Sequence, residues 1–115
     1  MAIKSPIELA EEIRGIGSEI DEIEDGVESY SDVNAYFDRD ELLRKGFMLG
    51  YNLCNIDIRL TSHTHVANNA LENHRLERED RLLYENILIL IDNQRLRTSV
   101  LLSSLELYKK NMDTP

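Results

Sequence analysis

At 115 residues the chain suits a single domain, large enough for a true core and short of needing a second. Its apolar content is near the globular average, with few aromatics and no tryptophan, which argues for an aliphatic core and against disorder. The net charge of −9 disfavours direct binding to DNA or RNA phosphates, which needs clustered Lys and Arg, and the lone Cys54 excludes an internal disulfide framework and fits a reducing compartment.

The first helix is expected over about residues 5–30. Ser5-Pro6-Ile7-Glu8 supplies a serine N-cap, a proline that needs no N–H at the first helical position, and a glutamate three residues past the cap. Leu9, Ile13, Ile16, Ile20, Ile23, Val27 and Tyr30 then follow in alternating steps of four and three, the spacing that keeps one stripe of a helix against a partner. Isoleucine at both seam positions favours more than two strands where such a helix self-associates. Gly17 weakens the middle of this helix by about 1 kcal/mol relative to alanine, a cost that a close helix contact beside Ile16 would justify. Residues 1–32 hold ten carboxylates against Lys4 and Arg14, so nearly all the excess charge belongs to this helix. Its acidic face, with Glu12, Glu19 and Glu22, repels nucleic acid and could attract a basic partner.

Ser29 to Asn34 is the expected linker, rich in side chains that compete for backbone hydrogen bonds. Asp38-Arg39-Asp40-Glu41 repeats the cap pattern and opens a second helix, expected over about 38–67. Leu42, Gly46, Leu49, Leu53, Ile56 and Leu60 carry its seam, and a second row of Leu43, Phe47, Gly50 and Cys54 widens the apolar face, so this helix should touch two neighbours. Gly46 and Gly50 suit a tight helix crossing.

The seam register continues through His63, Ala67, Ala70 and His74 and fails at Glu77 and Arg81, which places the next turn within 61–81. Asn68-Asn69 with Glu72 is the favoured new cap, with Thr61 to His65 as a second candidate. A third helix is expected over about 70–112, with Tyr84, Ile87, Leu88, Ile91, Thr98, Leu101, Leu102, Leu105, Tyr108 and Met112 on one broad face. Lys109 and Lys110 suit its C-terminal dipole. The run Ile87 to Ile91 is apolar on every side and in isolation could be a buried strand, but its helix-forming flanks hold no turn signal. A helix apolar all round must be covered all round, which three helices of this length barely achieve.

Chemistry-bearing patterns are sparse. His63, His65, His74 and Cys54 are the soft metal-type ligands, and His63-Thr64-His65 on a helix aims its imidazoles to different sides, so no metal or other cofactor is expected. No Gly-rich phosphate loop, nucleophile elbow or Cys-x-x-Cys pair occurs, and Ser99, Ser103 and Ser104 sit among leucines. Arg59 and His65 form an Arg-x5-His spacing that resembles the ribonuclease signature of HEPN domains, which are small dimerising helical bundles. The resemblance implies that Arg59 and His65 bind a scissile phosphate and move protons across a dimer cleft. It covers two residues, and Leu60 stands where that family usually carries a polar one. Glu8, Glu11, Glu12, Glu19 and Glu22 superficially resemble the magnesium-binding helix of MazG-type nucleotide pyrophosphatases. Gly15 stands where its E-E-x-x-E motif has the third glutamate.

The sequence therefore predicts an all-α fold: one domain over 1–115, a bundle of three long antiparallel helices with coiled-coil-like heptad seams, oligomeric. Its expected work is non-enzymatic assembly, as scaffold, adaptor, connector or chaperone subunit. Partners would be copies of itself and other proteins, with no membrane, nucleic acid or small-molecule substrate. The expected interface residues are Leu9, Ile13, Ile16, Ile20, Ile23, Val27, Leu42, Leu49, Leu53, Ile56 and Leu60, and the expected location is the cytoplasm or a viral or bacterial assembly. An acidic inhibitor that mimics nucleic acid and blocks a basic site, and a HEPN-like ribonuclease, are the alternatives.

Overall fold

A computed structural model of the protein describes residues 5–32 and 39–113. They form three α-helices, α1 (Pro6–Asp32), α2 (Arg39–Leu71) and α3 (Arg78–Asp113), with no strand among the described residues. The run Ile87 to Ile91 is helical, as its flanks dictate. α1 starts as its cap chemistry requires: Ser5 Oγ accepts the Glu8 amide at 3.2 Å and the Ser5 carbonyl accepts the Leu9 amide at 3.0 Å. It runs two residues past the expected end, into the segment expected to be linker. The expected cap at Asp38 lies outside the described residues.

The break between α2 and α3 falls at residues 72–77, later than either expected position. Asn68, Asn69 and Thr61 to His65 all lie inside α2. Thr61 and Thr64 are accommodated inside the helix with their hydroxyls donating to the carbonyls of Asp57 and Leu60, each at 2.9 Å, one turn back. What ends α2 is a cap supplied from the next helix. The Arg81 guanidinium donates to the Leu71 and Asn73 carbonyls, both at 3.1 Å, and Asn73 Oδ1 accepts the Arg75 amide.

The cross-helix partners fix the topology. Glu12 faces His63 and Glu19 meets Arg59, so α1 and α2 run antiparallel; Asp57 meets Arg95 and Leu71 meets Arg81, so α3 turns back again. Ile13 and Glu24 meet Gln94 and Arg97, so α3 runs parallel to α1. The bundle is a rod of 61 × 21 × 19 Å in which every pair of helices packs.

Its core is the three heptad stripes turned inward. Leu9, Ile13, Ile16, Ile20, Val27 and Tyr30 of α1 and Leu42, Leu49, Leu53, Ile56 and Leu60 of α2 are buried, with Ile23 half-buried at the same seam. Each buried aliphatic side chain contributes about 1.5–3 kcal/mol of transfer free energy. α3 closes the core with Tyr84, Ile87, Ile91, Gln94, Thr98, Leu101 and Leu105, again in steps of three and four. Leu88 and Leu102, expected on the buried face, are half-buried on its flank.

The second row of α2 is not a packing face. Phe47 is 72% exposed, and Leu43 and Cys54 are also exposed, while Gly50 is half-buried. α2 reaches its two neighbours through the flanks of a single stripe, Arg59 toward α1 and Asp57 toward α3.

Candidate functional site

The three stripes consume the aliphatic residues expected to form an intermolecular interface. Those of α1 and α2 are buried within the same chain, and what remains outside is a charged groove between α1 and α2 and apolar stripes on the outer faces of α2 and α3.

The groove, about 620 Å³ and open to solvent, is lined by Glu12, Gly15, Glu19, Arg59, Ser62 and His63. Arg59 and His63 are four residues apart on α2 and therefore share a face. The Arg59 guanidinium lies 3.0 Å from one oxygen of Glu19 and 2.8 Å from the other, and His63 Nε2 lies 3.7 Å from Glu12 Oε2. Each basic group of this groove thus faces a carboxylate of the same chain. Six residues beyond Arg59, His65 projects from another side of α2 and is exposed. Within one chain, the residues of the Arg-x5-His spacing do not converge, and the guanidinium that would bind a phosphate is held by Glu19. Asn52, Asn55 and Glu22 extend the same groove along the helices, adding polar side chains and no nucleophile. Among the described residues, no three His, Cys, Asp or Glu side chains are grouped to hold a metal ion.

The acidic face of α1 is partly answered by the chain itself. Beyond the Glu12 and Glu19 contacts, Arg97 of α3 donates from Nε to Glu24 Oε2 at 3.1 Å, from Nη2 to the same oxygen at 2.7 Å, and from Nη2 to Asp21. These hydrogen bonds, to Glu24 first and Asp21 second, raise the guanidinium pKa further above its already high value. Of the three carboxylates expected on the acidic face, Glu12 faces the His63 imidazole, Glu19 faces the Arg59 guanidinium, and Glu22 is exposed.

The outer stripes differ in kind. On α2, Leu43, Phe47, Met48, Tyr51 and Ile58 stand exposed, Tyr51 at 62%. On α3, Leu82, Ile89, Leu96, Val100 and Leu107 do the same, Leu96 at 67%. Aromatic and methionine side chains grouped on a surface are the composition of protein-interface centres. The α3 stripe was hidden in the sequence by superposition on the buried one: two step-of-three-and-four series run down opposite sides of one helix. Reading the series separately, starting from Leu82 as well as from Tyr84, would have found it. No described helix is long and apolar enough to cross a membrane.

Comparison with protein-family models, with curated proteins and with solved structures finds no match to this chain.

Proposed function

We propose that this protein is a non-enzymatic assembly element, a rod whose outer faces bind other proteins, copies of itself included. The observation that carries the reading is the pair of outward apolar stripes on α2 and α3, left uncovered after each helix has buried a full heptad seam. Isolated exposed aliphatics are ordinary on any surface, but aligned rows on two helices are what partner-binding faces present. The α1–α2 groove supports the same reading, because its basic side chains are engaged by Glu12 and Glu19 rather than free to hold substrate.

Light scattering on the purified chain tests this. An assembly element runs above the 13.3 kDa of one chain, and its mass falls when the outer stripes are made polar, in Phe47→Ser with Tyr51→Ser or in Ile89→Ser with Leu96→Ser. Contacts made by apolar area persist at high salt, whereas an acidic face acting on a basic partner is screened. A monomer that carries no partner at any concentration or ionic strength sinks the reading.

A further inference from the structure

Resting on that reading, we infer that α3 is a two-sided helix whose outer face pairs with α3 of a second copy, parallel and in register. The outer series is Leu82, Asn86, Ile89, Asn93, Leu96, Val100, Ser103 and Leu107, in steps of four and three throughout. In the heptad frame of α3 these residues lie directly opposite the buried series of Tyr84, Ile87, Ile91, Gln94, Thr98, Leu101 and Leu105. The outer seam is about 37 Å long at 1.5 Å per residue. All its members are exposed, with Asn86 at the edge of the groove between α1 and α3, so a second helix can lie against it with the bundle intact.

The order of residue types in the seam names the occupant. The positions three residues before the next seam residue, equivalent to a, hold Asn86, Asn93, Val100 and Leu107; the others, equivalent to d, hold Leu82, Ile89, Leu96 and Ser103. A d row aliphatic from Leu82 to Leu96, with asparagine at the two a positions between, fits a parallel two-stranded pair, in which each asparagine meets its own counterpart across the axis and fixes register. In an antiparallel pair, Asn86 and Asn93 would face d residues of the other copy, leaving a buried amide against leucine or isoleucine.

Flanking charges point the same way. One edge of the seam carries Glu85, Asp92, Ser99 and Glu106, and the other carries Leu83, Leu90, Arg97 and Ser104. An antiparallel pair sets the acidic edge against itself, which is unfavourable. A parallel pair sets it against the other edge, each residue facing the one five further on in the second copy, so that Asp92 lies beside Arg97 of that copy. Arg97 already holds Asp21 and Glu24 of its own chain and remains about a third exposed, open to a further carboxylate.

The test uses the full chain with Cys54→Ser as background. Asn86→Cys and Leu107→Cys, placed near opposite ends of the seam and studied singly, should each form a disulfide-linked dimer under mild oxidation. A mixture that cross-links only Asn86→Cys to Leu107→Cys demonstrates an antiparallel pair and overturns the inference. Ile89→Asp with Leu96→Asp should give a folded monomer of unchanged helicity. If that variant keeps the wild-type mass, and Phe47→Ser with Tyr51→Ser abolishes it, assembly stands but this face is not its seat. Asn86→Leu with Asn93→Leu should raise the mass above that of a dimer, because the device that specifies two strands is gone; an unchanged dimer overturns the role of the asparagines. A wild-type chain that is monomeric with no partner overturns both this inference and the assembly reading.

Discussion

Gly17 and Gln94 are complementary across the α1–α3 contact. Gln94 Nε2 donates to the Ile13 carbonyl at 3.0 Å, and a Cβ at position 17 would stand 2.9 Å from that nitrogen. The glycine is there so that a core amide can reach the backbone of the neighbouring helix. Gln94 Oε1, buried, has no hydrogen-bond partner among the described residues, so the amide is only half satisfied. Gly17→Ala should therefore destabilise the bundle by about 1 kcal/mol, the displaced amide outweighing the helix-propensity gain. In a Gln94→Leu background the same change should stabilise by about 1 kcal/mol, because leucine leaves the space beside residue 17 free. A double-mutant cycle by urea denaturation measures the coupling; additive effects would show that the two positions do not communicate.

The other described glycines of α1 separate by the same criterion. At Gly15 an added Cβ meets nothing within 4 Å, so Gly15→Ala should gain about 1 kcal/mol and raise Tm by about 4 °C. At Gly26 it would stand 2.9 Å from Leu49 Cδ2, a side chain pinned in the core, and Gly26→Ala should cost about 1 kcal/mol through overpacking. Thermal melts of the two variants should shift in opposite directions.

Arg97→Met keeps most of the stem that lies along α3 and removes the bonds to Asp21 and Glu24. At about one-third exposure, with solvent screening both partners, the loss should be about 0.5–1 kcal/mol. It should shrink as salt is raised toward 1 M. A loss independent of salt would mean that the stem's packing, rather than the charge, holds α1 against α3.

The Tyr84 phenol is pushed above its ordinary pKa of about 10, by burial first and by the charge of Asp80 second. The folded state thus holds the proton where the unfolded chain releases it. The corresponding stability is complete below about pH 10 and falls as pH rises through the folded-state value. Tyr84→Phe should flatten the alkaline limb of stability against pH relative to wild type, while leaving the neutral region near its original level. Parallel limbs in the two proteins would assign the alkaline loss to other groups.

Ile16→Asp and Leu96→Asp divide the apolar residues by role. Ile16 is fully buried between helices, so an unpaired charge there should unfold the chain. Leu96 faces solvent, and its replacement should leave the circular dichroism spectrum unchanged while altering only association. Equal loss of helicity in both would contradict the placement of the α3 outer stripe.

The seams of α1 and α2 are legible as packing stripes because every seam position is apolar or small; the sequence does not say that Leu9 through Val27 and Leu42 through Leu60 pack within one chain rather than between chains, nor that the second row of α2, Leu43, Phe47 and Cys54, stays exposed. α3 was legible only in part. Gln94 and Thr98 interrupt its seam with polar groups, which burial tolerates because the Gln94 amide finds the Ile13 carbonyl and the Thr98 hydroxyl donates to the Gln94 carbonyl at 2.8 Å. Thr98 stands on the expected face, but a pattern of apolar residues cannot announce a buried amide such as Gln94. The α2–α3 break was misplaced for a related reason: its determinant, Arg81, lies ten residues beyond the carbonyl it caps. The acidic face of α1 looks unanswered in the sequence because the side chains that meet it, Arg59, His63 and Arg97, arrive from other helices.

The flank contacts of α1 have a consequence for chirality. Three helices with inward stripes can be arranged around their axis clockwise or anticlockwise, and burial of the stripes alone scarcely tells the two apart. One edge of α1 bears Glu12, Glu19 and Gly26, matched to His63, Arg59 and Leu49 of α2; the other bears Gly17 and Glu24, matched to Gln94 and Arg97 of α3. Exchanging the two neighbours would bring glutamates to the wrong cations and press side chains where glycine left room, so these edges select one hand of the bundle and penalise its mirror topology.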